Sequence, residues 1–245
     1  MKDNFSKQAD LYAKYRPEYP NELYDFILSR CEGRSCAWDC ATGSGQVAKI
    51  LAKHFHEVEA TDMSQKQLDN AFQAPNIHYS ISKAESTKFP DNHFDLITVG
   101  QALHWFNFEA FFKEVKRVLK LNGTLAVWGY NNMLINPEID KINLDFYQNI
   151  TKPYWDGERK HIDNQYSDID FPFEKIESKS FEIIKKWNLP NLEGFFNTLS
   201  AEQHFITKEG YSPVPKLIDR FKPIWKEGEV KVVRFPLFLK LLNKL

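Results

Sequence analysis

Cysteine is scarce and gathered in one place: Cys31, Cys36 and Cys40 are the only three thiols in 245 residues. An iron–sulfur cluster takes its thiolates from an open loop and structural zinc takes four ligands, whereas Cys36 and Cys40 bracket a short apolar segment that reads as a buried strand. Reduced core thiols and no metal site are therefore expected. An excess of one charge is lacking too. The 32 Lys and Arg balance 33 Asp and Glu, giving a formal net charge of −1, and the basic residues are spread along the chain. That leaves no electrostatic footprint for nucleic acid. No apolar run approaches the ~20 residues that span a bilayer, and the first residues do not resemble a signal peptide. The expectation is a cytoplasmic protein without a membrane partner, a monomer or weak dimer acting on a small molecule. Repeats, low-complexity tracts and charged tails are absent as well.

What is present centres on Ala37-Trp38-Asp39-Cys40-Ala41-Thr42-Gly43-Ser44-Gly45-Gln46. An apolar segment ending in an acid runs into a turn with two glycines one residue apart, and Val47 to Phe55 repeats its apolar positions at helical spacing. This predicts strand, glycine turn, helix. Gly43 and Gly45 allow positive φ and close approach of a ligand, while the helix start offers unpaired N–H groups. The next segment, His56 to Asp62, ends in an acid 17 residues past Gly45. That is near the offset at which α/β cofactor folds set a carboxylate against ribose hydroxyls. Nicotinamide, flavin and S-adenosylmethionine all fit at this point.

The order of four motifs narrows the choice. Asp39-Cys40-Ala41-Thr42-Gly43-Ser44-Gly45, Ala60-Thr61-Asp62-Met63-Ser64, Ala84-Glu85 running on to Phe94-Asp95-Leu96-Ile97, and Arg117-Val118-Leu119-Lys120-Leu121-Asn122-Gly123-Thr124 follow one another. Together they resemble class I S-adenosylmethionine-dependent methyltransferases. Phe5-Ser6-Lys7-Gln8-Ala9, Tyr15-Arg16-Pro17-Glu18-Tyr19-Pro20 and Gln101-Ala102-Leu103-His104-Trp105-Phe106 are similar to the branch containing the trans-aconitate methyltransferases. The resemblance is strong from Phe5 to about Tyr130 and faint beyond.

The resemblance implies a Rossmann-like α/β fold: a seven-stranded, mostly parallel sheet with an antiparallel last strand, helices on both faces and a helical lid. It implies S-adenosylmethionine as cofactor and S-adenosylhomocysteine as product. Asp39 would face the cofactor's ammonium, with Ala41, Gly43 and Gly45 forming the turn around it. Asp62 would hold the ribose, Met63 would cover one face of the adenine, and Ala84-Glu85 would read the adenine amino group. Gln101 opens a loop opposite the sulfonium. In that loop His104 is a candidate hydrogen-bond partner or base, and Trp105 and Phe106 are candidate substrate walls. Tyr12 and Arg16, on an N-terminal arm, are candidates for holding the methionine carboxylate or an acidic substrate. One departure stands out. Ala41 occupies the place of the family's first glycine, which is tolerable if its φ is negative.

The chain reads as a single domain over 1–245. A helical cap spans 1–34, the cofactor-binding core spans 35–130, and the carboxyl-terminal sheet edge spans 131–245 with a lid inserted at about 188–228. Helices are predicted at about 21–29, 107–119, 135–150 and 191–199, and strands at 76–82, 94–99 and 124–130, with Asn122-Gly123 as a turn. A strand with a bulge is predicted over 173–187. Pro236 argues for a final edge strand in the tail. Methyl transfer to a carboxylic acid is the expected reaction, with Arg16, His104 and Tyr12 positioning the acid. Methylation at carbon or a hydroxyl, with His104 as base, is the alternative. A non-catalytic cofactor binder is a second, motivated by Ala41. A nicotinamide oxidoreductase would show a third glycine where Ala48 stands.

Overall fold

The computed structural model describes residues 14–173 and 175–244. The first part of the expected helical cap, with Tyr12, lies outside these residues. A helix α1, Asn21–Ser29, leads into β1, Cys36–Cys40, and from there the chain alternates strand and helix. The glycine turn joins β1 to α2, Gln46–Leu51; β2, Glu57–Asp62, is followed by α3, Gln65–Asp69, and β3, Ile77–Ile81. Then come β4, Phe94–Gly100, α4, Phe108–Val118, and β5, Leu119–Tyr130. The strand order is β3-β2-β1-β4-β5-β7-β6, with β6 at Lys175–Trp187 and β7 at Lys231–Asn243. Pairing is parallel from β3 to β5, and β7 runs antiparallel to both its neighbours.

Burial on both faces explains the strand sequences, because side chains alternate sides along a strand. In β5, Ala126 and Trp128 join Ala37 and Leu96 in one core, while Leu125 and Val127 join Trp38, Ile97 and Val99 in the other. The second core is closed by α4, whose Phe111, Phe112, Val115 and Val118 share one helical face. Asn107 caps that helix by accepting the Ala110 N–H at 3.0 Å. All three cysteines are buried and unbridged. Burial pushes the Cys31 thiol up to about 11 and the Cys36 thiol to about 12, so neither is a thiolate at neutral pH.

Four expectations are corrected. The carboxyl-terminal tail is not an edge strand: β7 lies between β5 and β6, and β6 is the edge. Pro236 is tolerated inside the sheet because its missing N–H faces β5 beyond the last paired residues, Tyr130 and Leu237, where its carbonyl accepts the Asn131 N–H at 2.9 Å. No bulge interrupts β6, which pairs with β7 residue for residue from Lys175 to Trp187. Asn122-Gly123 does not end a strand; it is a left-handed kink inside β5, with Asn122 at φ 62° and its N–H donated to the Lys244 carbonyl. The helix expected over 135–150 is shorter, α5 at Pro137–Asp145, and continues as a π-type turn over Phe146–Thr151.

Two insertions rise from the carboxyl ends of the strands. Between β5 and β6 lie α5, that π-type turn and α6, Arg159–Asp163. Between β6 and β7 lie α7, Leu189–Phe196, α8, Ser200–Glu209, and α9, Val214–Phe221. Among the described residues no helix is long and apolar enough to cross a membrane.

Candidate active site

The turn after β1 places three residues in the left-handed region at alternate positions: Ala41 at φ 57°, Gly43 at 56° and Gly45 at 76°. The condition under which alanine is easily tolerated at position 41, a negative φ, is therefore not met. A Cβ there costs about 1–2 kcal/mol. The neighbouring strand holds the turn in place: Thr42 N–H donates to the Thr61 carbonyl and Gly43 N–H to Asp62 Oδ2, both at 2.9 Å. A Cβ on Gly45 would stand 2.3 Å from the Tyr79 hydroxyl, whereas one on Gly43 would meet nothing nearer than Gln67 Oε1 at 4.0 Å. Space in front of Gly43 is open, and the buried Gln67 Oε1 has no hydrogen-bond partner among the described residues.

Asp39 forms the floor. Its carboxylate is fully buried and accepts Thr42 Oγ1 at 2.5 Å, Thr98 Oγ1 at 2.8 Å and the Ala48 N–H at 3.1 Å. Burial pushes its pKa up to about 6 against the pull of those three donors. The cleft above is lined by Arg16, Tyr19, Asp39, the turn from Ala41 to Ser44, Gly100 and Tyr130. An open glycine cradle over a buried carboxylate fits the aminoacyl part of S-adenosylmethionine.

The residues assigned to the nucleoside lie along the neighbouring strand ends and do not line that cleft. Asp62 Oδ1 accepts the Ser64 N–H at 2.9 Å, so the carboxylate joins the glycine turn to the start of α3. Met63 is partly exposed, Ala84 is buried, and Glu85 Oε1 accepts the Asn107 N–H at 3.0 Å.

In the loop after β4 the structure separates the candidates. Gln101, at φ 55°, spends its side chain on the strand beside it: Oε1 accepts Tyr130 N–H at 2.7 Å and Nε2 donates to the Tyr130 carbonyl at 3.3 Å. Its amide is thus engaged with β5. Phe106 is no substrate wall. It is buried against Phe111, ring centroids 4.9 Å apart, and belongs to the core beneath α4. His104 is buried with Nδ1 3.1 Å from the Tyr166 hydroxyl. Burial first, then Arg159 and His161, depress its pKa to about 3, so the ring is neutral at physiological pH.

His104, Gln101 and Trp105 line a second cleft together with Arg16, Trp155 and Arg159. A third, small chamber lies under the insertions, walled by Tyr130, Phe146, Tyr147, Phe195 and Phe196, again with Arg16, Trp155 and Arg159. Arg16 stands where all three meet. It donates to the Tyr130 hydroxyl at 2.8 Å and the Thr198 carbonyl at 2.9 Å, and its guanidinium lies 5.4 Å from the Phe195 ring centre. Sequence reasoning missed Trp155, Arg159 and Tyr130 as wall residues. The signal was Tyr154-Trp155, two aromatics between Pro153 and Gly157 in a segment too polar to be core.

Comparison with known proteins bears on this arrangement. The methyltransferase domain family matches residues 38–127. A protein from Dictyostelium discoideum that carries a methyltransferase name is 36% identical over 250 residues, covering 99% of this chain and 95% of that one. A solved structure described as a type II methyltransferase from Anaeromyxobacter dehalogenans superposes with a TM-score of 0.85 at 28% identity, over 94% of this chain and 99% of that one. The fold extends to a Haemonchus contortus phosphoethanolamine N-methyltransferase in complex with S-adenosyl-L-methionine, TM-score 0.54 at 15% identity, over 98% of this chain and 57% of that one. With its strand order, its glycine cradle and a relative matched over nearly the full length, this chain belongs to the class I S-adenosylmethionine-dependent methyltransferases.

Proposed function

We propose that this methyltransferase acts on a small carboxylic acid and leaves a methyl ester, with Arg16 holding the acid. The observation that carries this reading is the position of Arg16 at the junction of the cofactor cleft, the His104 cleft and the aromatic chamber. When bound, the cofactor supplies a methyl carbon already activated by its sulfonium. The chain's own task is then to orient and to exclude water. A carboxylate is ionised at pH 7 and needs no base; a guanidinium fork fixes both its oxygens. Such positioning alone can supply ~7–11 kcal/mol. Tyr130, bonded to Arg16 through its hydroxyl, keeps that fork from swinging into the cleft, and the aromatic walls keep the site dry.

Asp39 and the turn from Ala41 to Gly45 are suited to the cofactor's aminoacyl end, and Asp62 to its ribose. His104 is suited to shaping the acceptor site as a neutral hydrogen-bonding group. A pKa near 3 makes it a poor acceptor of a hydroxyl proton at neutral pH, which counts against the carbon- or hydroxyl-methylating alternative. Three unbridged thiols accord with a reducing compartment such as the cytoplasm. The test is transfer of labelled methyl from S-adenosylmethionine to a panel of carboxylic acids. A base-labile labelled product, with turnover lowered in Arg16→Gln, supports the reading. A base-stable product whose formation depends on His104 contradicts it.

A further inference from the structure

Arg159 and Trp155 form a pair at the boundary between the His104 cleft and the aromatic chamber, and both line each side of it. Arg159 opens α6. Its Nε donates to Asp163 Oδ1 at 3.2 Å and its Nη2 to Asn132 Oδ1 at 3.3 Å. The guanidinium is laid over the Trp155 ring at 4.8 Å and near the Tyr147 ring at 5.6 Å. Two anchors and two rings fix the plane of a group that carries five N–H donors. Trp155 Nε1 is buried and has no hydrogen-bond partner among the described residues. An indole nitrogen is a donor only, and a buried donor left unpaired is costly, so this boundary is built to receive an oxygen. The acidic residue of the same cleft, Asp156, lies 3.7 Å from His204 Nδ1.

The rest of the chamber has a different character. Phe146, Tyr147, Phe195 and Phe196 present ring faces and edges, and Met133 and Leu199 fill between them. Flat side chains around a narrow space select a flat apolar body, through offset or edge-on ring packing. We infer that the acceptor is an aromatic carboxylic acid, its ring in this chamber and its carboxylate held at the boundary by Arg159 and the Trp155 indole N–H together with Arg16, which lines the same two clefts. This rests on the proposed methyl-ester chemistry and names its substrate class, making Arg159 and Trp155 specificity-determining residues.

The test is calorimetric titration of the full chain, in the presence of S-adenosylhomocysteine, with trans-cinnamate, its amide cinnamide, and cyclohexanepropanoate. The native protein is expected to bind cinnamate, and to bind cinnamide and the puckered-ring acid at least about tenfold more weakly. Trp155→Phe keeps the ring and removes the donor; Arg159→Gln removes the charge. Each should weaken cinnamate by about tenfold, the value of one hydrogen bond to a charged group, while affinity for S-adenosylhomocysteine stays unchanged and reports intact folding. No binding of cinnamate by the native protein, equal binding of cinnamide, or unaltered binding in both variants would overturn the inference. The two readings fail separately. Labelled methyl passing to cyclohexanepropanoate, but not to a bound cinnamate, preserves the ester chemistry and rejects the aromatic acceptor. Cinnamate bound through Arg159 and Trp155 yet never methylated preserves the clamp and rejects the ester.

Discussion

The carboxylate of Asp62 accepts the backbone N–H of Gly43 at 2.9 Å, across 19 residues of chain. One side chain at the end of β2 thereby sets the position of the turn at the end of β1, beside the cleft proposed for the cofactor. Its second oxygen takes the Ser64 N–H at 2.9 Å. Replacing Asp62 should therefore disturb the glycine turn as well as any ligand contact that the carboxylate makes.

Ala41 tests the strain in that turn. At φ 57° its Cβ crowds the following carbonyl, and glycine would relieve this while adding some freedom to the unfolded chain. Ala41→Gly should stabilise the protein by about 0.5–1 kcal/mol. That corresponds to a rise of roughly 2–4 °C in melting temperature for each kcal/mol gained at this size. A denaturant midpoint that moves down instead would show that the alanine methyl packs more than it strains.

Asp39 should make both stability and binding depend on pH. Its pKa, about 6 in the fold, lies above the ordinary aspartate value. Between about pH 4 and 6 the native state thus holds a proton that the unfolded chain has lost, so stability without ligand falls as pH rises through that window. A cationic ammonium above the carboxylate reverses the preference. Binding of S-adenosylhomocysteine should release a proton below pH 6 and weaken by up to about tenfold per unit as pH falls. In Asp39→Asn both slopes should flatten, and calorimetry in two buffers of different ionisation enthalpy reads the proton directly.

His104 is predicted to leave no limb in the pH–rate profile at neutral pH. With its pKa near 3, the ring is neutral throughout the assay range and nothing it does changes between pH 6 and 8. His104→Gln should alter KM for the acceptor more than the shape of kcat against pH. A limb near pH 6–7 that disappears in the variant would assign His104 the role of base.

Asp95 carries structure without touching a cleft. Its Oδ2 accepts the N–H groups of Ser35 and Cys36, each at 2.9 Å, and its Oδ1 pairs with Lys120 Nζ at 2.8 Å, joining the starts of β1, β4 and β5. Burial works to raise its pKa, but Lys120 and those two donors outweigh it and hold the carboxylate below its ordinary range. The stability it provides is complete above the unfolded value and is lost as pH falls through the folded one. Asp95→Ala leaves two donors and an ammonium without their partner and should cost about 3 kcal/mol or more in chemical denaturation. A loss under about 1 kcal/mol would show that water replaces the carboxylate freely.

The parts of this molecule legible in sequence are those governed by local periodicity. The helix at Asn21–Ser29 follows from the prolines before it and the amphipathic α4 from its spacing, and the mostly parallel seven-stranded sheet with an antiparallel last strand follows from the family's motifs. Backbone conformation was not legible at Ala41, because residue identity argues for negative φ while Asp62 and Thr61 impose the turn from a neighbouring strand. Phe106 and Trp105 are adjacent aromatics in one loop, and only packing against Phe111 decides that Phe106 belongs to the core. Alternation in Val233, Phe235, Leu237 and Leu239 marks a strand but not its partners, so the interior place of β7 escaped reading. Arg159 and Trp155 lie in a segment of weak periodicity whose function depends on what the fold sets opposite them.

The central claim is that the cleft over the glycine turn, whose position Asp62 sets, holds the cofactor, and titration with S-adenosylhomocysteine of the native protein beside Asp62→Asn tests it most directly. Native binding with a loss of about tenfold or more in the variant is the predicted result, since hydrogen bonds to a charged carboxylate contribute about 1.5–3 kcal/mol. Native protein that fails to bind at millimolar ligand, or a variant that binds as well as the native chain, would contradict it.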